Sequence, residues 1–227
     1  RGPEGFGTQT AGVCVSGYPP PGKLTEEYDG SSWTAGNVTG TSRLNKHGTA
    51  GTLTAGLIFS GSETQNTESY DGTNWTEVAN LTTTAVGNSD GTGTQTAAIC
   101  TGGNNPAPGL VVATEEFDGS SWTGGGNLIT GVEGHGTFGL QTNAFSCGGD
   151  NGSETGAVEY YNGTAWASGV SLTTARSMAA CAGATAPTVL GLFAGGFPGS
   201  TPAGVATTEE FTGETTAARA VKTIGFD

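Results

Sequence analysis

Apolar residues along this chain come in short runs, roughly five to seven long, set between Gly, Asn and Pro. Five such runs end in Gly, at positions 11–17, 55–61, 96–102, 142–148 and 189–195. Inside them neighbouring positions are all apolar, as in Leu57, Ile58 and Phe59 or Val13, Cys14 and Val15. Successive side chains of a strand point to opposite faces, so both faces of this segment need cover. A strand with one wet face would alternate apolar and polar instead. Enrichment in Thr, Val, Phe, Tyr and Trp favours strand, and no segment shows a helical period.

Two further patterns flank each run. Before it lies a stretch of small residues, such as 175–181. After it comes Thr-Glu-Glu-Tyr (25–28) or a relative, then Asp-Gly, then Trp. Each unit therefore predicts four strands. The core recurs as Tyr28 to Trp33, Tyr70 to Trp75, Phe117 to Trp122 and, with Asn162 in place of Asp, Tyr161 to Trp166. A fifth copy, Phe211-Thr212-Gly213, lacks the Trp. The aromatic anchors are separated by 42, 47, 44 and 50 residues. A period in this range with strand-rich units marks propeller blades. Neighbouring blades cover both faces of each sheet, as the apolar runs require. The expected fold is all-β, a single five-bladed propeller of four-stranded antiparallel blades, with repeats near 1–36, 37–79, 80–126, 127–170 and 171–227.

Asp-Gly between the third and fourth segments predicts a tight hairpin of type I′, with positive φ at both residues. The weaker Thr212-Gly213 suggests a distorted last blade. The segment 215–226 is expected as the outer strand of that blade. Its echo of Thr174-Ala175-Arg176 in Thr216-Ala217-Ala218-Arg219 offers an alternative, the inner strand of the first blade. The chain opens at Arg1 in mid-repeat, which suggests a processed product or a piece of a longer protein.

Charge narrows the partners. Net charge is −13, from 20 acidic and 7 scattered basic residues, so no positive stripe can neutralise phosphates and nucleic-acid binding is not expected. No apolar run is long enough to predict membrane insertion. The four cysteines Cys14, Cys100, Cys147 and Cys181 include no Cys-x-x-Cys pair, and three occupy equivalent strands of different blades. They read as small buried apolar residues rather than as disulfides or zinc ligands.

The Gly doublets at 102–103, 148–149 and 195–196, followed by an aromatic and then Trp, resemble the kelch-type β-propeller repeat across nearly the whole chain. Two doublets are replaced by Ser16-Gly17 and Ser60-Gly61. Of the Arg that often opens a kelch blade, the counterparts are Arg176 and Arg43. The stretches 25–34 and 114–123 and the Gly-Gly-Asn-Leu at 125–128 are more closely similar to the Thr/Gly-rich kelch-like repeats of marine bacteriophage virion proteins. That resemblance implies a non-enzymatic virion component: a tail fibre, appendage or capsid decoration. It would be a homo-oligomer, in contact with other virion proteins and with host-surface glycans, located on the virion or outside the cell. A secreted bacterial adhesion or interaction propeller is the alternative. A carbohydrate-active enzyme is a third reading, which needs two loop carboxylates in one pocket.

Residue chemistry adds little to an enzymatic reading. One Glu recurs in all five repeats, as Glu26, Glu68, Glu115, Glu159 and Glu209. Equivalent positions on different blades ring the axis and do not converge, so these Glu are expected to accept hydrogen bonds that fix one blade against the next. His47 and His135 each precede Gly in the innermost segment and are expected to line the channel or a loop. No nucleophile elbow, metalloprotease or phosphate-loop motif occurs. No catalytic, cofactor or metal residue is assigned, and no cofactor is expected. Candidate binding residues sit in the Pro-rich loops between the second and third segments: Tyr18, Asn104, Asn105 and Phe197.

Overall fold

The computed structural model describes residues 2–62, 64–83, 87–105, 109–184, 190–199, 204–212 and 220–224. They form five antiparallel sheets of four strands each, and strand order in each sheet follows chain order. Blade one holds β1 (Glu4–Thr8), β2 (Ala11–Val15), β3 (Thr25–Tyr28) and β4 (Trp33–Ala35). Blade two holds β5 (Gly48–Thr52), β6 (Ala55–Phe59), β7 (Thr67–Tyr70) and β8 (Trp75–Val78). Blade three holds β9 (Asp90–Thr94), β10 (Ala97–Thr101), β11 (Thr114–Phe117) and β12 (Trp122–Gly124). Blade four holds β13 (Gly136–Leu140), β14 (Asn143–Cys147), β15 (Val158–Tyr161) and β16 (Trp166–Ser168). Blade five holds β17 (Ala180–Ala184), β18 (Leu190–Ala194), β19 (Thr208–Thr212) and β20 (Ala220–Ile224). The molecule is a five-bladed β-propeller, and the described residues contain no helix.

The repeated motif is the closing pair of the outer hairpin. Tyr28 lies opposite Trp33, Tyr70 opposite Trp75, Phe117 opposite Trp122 and Tyr161 opposite Trp166. Their rings sit 4.6 Å apart in blade two and 5.0 Å apart in blade four. The turn differs from the type I′ expectation. Positive φ is confined to the glycine, at 95° for Gly30 and 92° for Gly119. The loop spans four residues because the carboxylate organises it: Asp29 Oδ1 accepts the backbone N–H of Ser31 and of Ser32, each at 2.8 Å. Asp71, Asp118 and Asn162 do the same in their blades. A side-chain acceptor that takes two backbone donors replaces the second left-handed residue.

The second strands of blades two, three and four are covered on both sides, as their apolar runs require, whereas β18 of blade five leaves Leu190 and Leu192 exposed on one face. Leu57 and Phe59 pack forward with Ala98, Cys100 and Trp122 of blade three. Ile58 packs backward with Val13 and Val15 of blade one. All three blade-two residues are fully buried, each contributing about 1.5–3 kcal/mol of transfer free energy. Close approach between sheets needs glycine: a Cβ on Gly56 would lie 2.3 Å from the Phe6 ring of blade one, and one on Gly191 2.3 Å from the Phe138 ring of blade four. Cys100 and Cys147 are buried and free, as expected, whereas Cys14 and Cys181 are only half-buried.

Polar bonds also cross from blade to blade. The indole N–H of Trp75 donates to Thr25 Oγ1, that of Trp122 to Thr67 Oγ1 and that of Trp166 to Thr114 Oγ1. The Tyr70 hydroxyl donates to Glu27, and the Tyr161 hydroxyl to Glu116 at 2.6 Å. Gln95 donates to the carbonyls of Gly56 and Tyr70, and Gln141 to those of Ala98 and Phe117. At the C-terminus, β20 pairs with β19 as the outer strand of blade five, not as an inner strand of blade one. Gly213 and the repeat-like 216–219 lie outside the described residues.

Candidate functional site

Four of the five repeated Glu cap the linker that leads into their own blade. Glu115 accepts the backbone N–H of Thr82 and of Thr83, each at 2.7 Å. Glu159 accepts those of Ile129 and Thr130. Glu68 accepts those of Gly40 and Thr41, and also Arg43 at 2.7 Å. Glu209 accepts the N–H of Thr173 and pairs with Arg176. Burial alone would raise the Glu68 pKa, but Arg43 and the two backbone donors outweigh it and hold the carboxyl below its usual range. Both guanidinium groups are fully buried, so the two Arg serve the framework. Glu26 differs: it is exposed.

The inner strands β1, β5, β9, β13 and β17 surround an axial cavity of about 260 Å³. Its lining includes Glu4, Thr49, Asp90, Thr92, Thr137 and Cys181. At its rim Lys46 Nζ lies 3.0 Å from Glu4 and 3.2 Å from Asp90. Asp90 also accepts the N–H of Gly91 and of Thr137, which pins β9 to β13. Burial pushes the Glu4 carboxyl up to about 7, a shift that the charge of Lys46 partly offsets. Sequence reasoning missed this ion triad. Only Lys46 and Asp90 at the starts of two inner segments hinted at it.

His47 and His135 stand just before β5 and β13, but neither lines the cavity. Both are fully buried and pack beneath glycines of the loop face, His47 under Gly61 and His135 under Gly102 and Gly149. His47 Nδ1 donates to the Asn45 carbonyl, and His135 Nε2 bonds Thr101 Oγ1. Burial drives both down to about 3, so both are neutral wedges. Among the described residues, no group of three His, Cys, Asp or Glu side chains could hold a metal ion.

Sequential antiparallel order places every loop between second and third strands, and every blade-to-blade linker, on one face of the disc. The four candidate residues divide there. Tyr18 is 58% exposed and Phe197 45% exposed. Tyr18 begins a loop with cis bonds before Pro19 and Pro21, while Phe197 is anchored through its backbone to Ser177. Asn104 and Asn105 belong to the loop framework instead. Asn104 exchanges backbone bonds with Gly87 and donates its amide to Glu133, and Asn105 is buried with its N–H on the Gly109 carbonyl. Residues 106–108 and 200–203 of these loops lie outside the described residues.

No protein-family model matches the chain, and no curated protein matches it in sequence. Among solved structures it is similar to YjhT, with a TM-score of 0.66 at 13% sequence identity. The match covers 79% of this chain and 64% of the YjhT chain. At that identity the similarity establishes the fold alone.

Proposed function

We propose that this propeller is a non-enzymatic binding and assembly module, carried on a phage particle as part of a tail fibre, appendage or capsid decoration. Its contact surface is the loop face, and host-surface glycans are its ligand class. The observation that carries the reading is the exposure of two aromatic rings, Tyr18 and Phe197, on the loop face. Exposed aromatic rings offer flat apolar area at low entropic cost, which suits stacking on sugar rings. Glu68, Glu115, Glu159 and Glu209 accept linker N–H groups, and Glu68 and Glu209 also pair with Arg, which supports a structural role for these four.

Two measurements test this. Mass spectrometry of purified particles from the source community should find the chain in virions. Its absence there, with presence in the secreted fraction of a bacterium, would favour the adhesion reading. On a glycan array the protein should bind a defined set, and Tyr18→Ala and Phe197→Ala should each weaken binding about tenfold or more, the effect of losing roughly 1.4 kcal/mol. Unchanged binding in both variants would remove the loop face from the proposal.

A further inference from the structure

The two ends of the axial cavity are built differently. Chain order puts the starts of the inner strands on the loop face. There the Lys46 side chain is 4% exposed and bridges Glu4 and Asp90. Main-chain bonds from Gly134 to Asn88 and from Met178 to Gly134 tie three linkers together at the same end. At the other end the lining is Gly7, Gly51, Gly93, Gly139 and Gly183, so no lining side chain narrows it. The first four have φ between 105° and 121°, and a Cβ on any of them would strike a carbonyl of its own hairpin. The hairpins demand these glycines, and an open mouth away from the loop face is the by-product.

Inside, charge and hydrogen bonds do not balance. Two carboxylates and one ammonium leave one negative charge in excess once both acids are ionised. Asp90 is fully engaged, since it accepts Lys46 and the N–H groups of Gly91 and Thr137. Glu4 bonds, among the described residues, only through Oε1, to Lys46 at 3.0 Å. Its Oε2 is the charge-bearing atom left over, and Glu4 lines the cavity. The nearby hydroxyls of Thr49 and Thr92 donate to the carbonyls of Gly5 and Gly139, each at 3.0 Å. These carbonyl and hydroxyl oxygens each keep acceptor capacity. What the cavity lacks is therefore a donor that carries positive charge.

We propose that the axial cavity is a binding site for a small primary ammonium ion, held by Glu4 Oε2 and by the carbonyl and hydroxyl oxygens around it. The cavity already seats one ammonium at its loop-face end, that of Lys46. A calcium-type ion takes about six to eight oxygens, which one free carboxylate oxygen beside a lysine does not supply. An anion would meet Glu4 and Asp90, and a neutral guest would leave the excess charge unpaired. The cavity, about 260 Å³, is smaller than the roughly 300–1,000 Å³ of drug-sized pockets, which limits the guest to a few heavy atoms. This site lies apart from the loop face and stands whether or not that face binds glycans.

Methylammonium chloride, titrated into the isotope-labelled full-length chain and followed by amide NMR, tests the site. Saturable shifts are expected at Gly51, Gly93 and Gly139 and not at Tyr18 or Phe197, with a Kd in the millimolar range that two heavy atoms allow. Methanol, which has the donor without the charge, should leave those amides unmoved at the same concentrations. So should tetramethylammonium, which has the charge without the donors. Glu4→Gln should weaken methylammonium binding about tenfold or more, while Tyr18→Ala leaves it unchanged. The native titration decides the matter by itself if Glu4→Gln fails to fold. No saturable shift at the cavity glycines, or equal shifts with tetramethylammonium, would overturn the proposal. Saturation by calcium chloride but not by methylammonium would overturn it as well, and would make the cavity a metal site.

Discussion

Asp29 and Asp118 each organise a hairpin through donors on their own loop. The backbone N–H of Ser32, then the hydroxyl and N–H of Ser31, hold the exposed Asp29 carboxyl at about 2, against an ordinary 3.8. For Asp118 the Ser120 hydroxyl leads, with the same result. A depressed carboxyl contributes its stability above the unfolded value and loses it as pH falls through the folded one. These hairpins should therefore loosen between about pH 4 and pH 2. Carboxyl-detected NMR titration should place both midpoints near 2, and Ser31→Ala should raise that of Asp29 while leaving Asp118 unmoved. The turn residues were visible in the sequence as Asp-Gly. The loop length was not, because Asp can serve either as a left-handed residue or as an acceptor, and only the pairing of Tyr28 with Trp33 decides which.

Between elements, two predictions separate structural roles that look alike in the repeat. Glu68→Ala strands a fully buried Arg43 and should cost about 3–5 kcal/mol of unfolding free energy. Glu115→Ala leaves two backbone donors and the Thr82 hydroxyl bare, with no buried cation, and should cost about 1–3 kcal/mol. Chemical denaturation of the two variants checks the order, and equal costs would contradict the assigned roles. The Glu–Tyr bond that joins blade one to two and blade three to four is open to redesign at the interface between blades two and three, which lacks it. Phe117→Tyr alone should destabilise, since its hydroxyl faces Ser69 across the buried interface. Adding Ser69→Glu should restore stability, a non-additive effect of about 0.5–3 kcal/mol measurable by thermal melts of the three variants. The recurring Glu was legible as a hydrogen-bond acceptor, although it caps the linker into its own blade, while Glu27 and Glu116 make the blade-to-blade bonds. Its partners were not, because they are backbone N–H groups: the Thr that ends each capped pair, Gly40-Thr41, Thr82-Thr83 and Ile129-Thr130, recurs in the sequence but does not announce which carboxylate its main chain meets.

Across the whole molecule, the axial triad joins residues from three blades and gives stability a second pH dependence. Glu4 is raised by burial from 4.5 to about 7, so its contribution is full below 4.5 and lost as pH rises through 7. Removing the cation should worsen that loss: Lys46→Met should lower the melting temperature more at pH 8 than at pH 5. A pH-independent difference would show that Lys46 acts by packing alone. By itself the sequence determined the strands, the four-strand unit and the number of blades, since a period near 45 residues and runs apolar on both faces admit little else. Only the tertiary structure decided which polar groups meet. Lys46 with Glu4 and Asp90, His135 with Thr101, and Tyr161 with Glu116 lie tens of residues apart, and the curvature of the ring sets their proximity. A repeat fixes what each blade is made of, whereas a contact between blades depends on the angle at which one sheet is laid against the next.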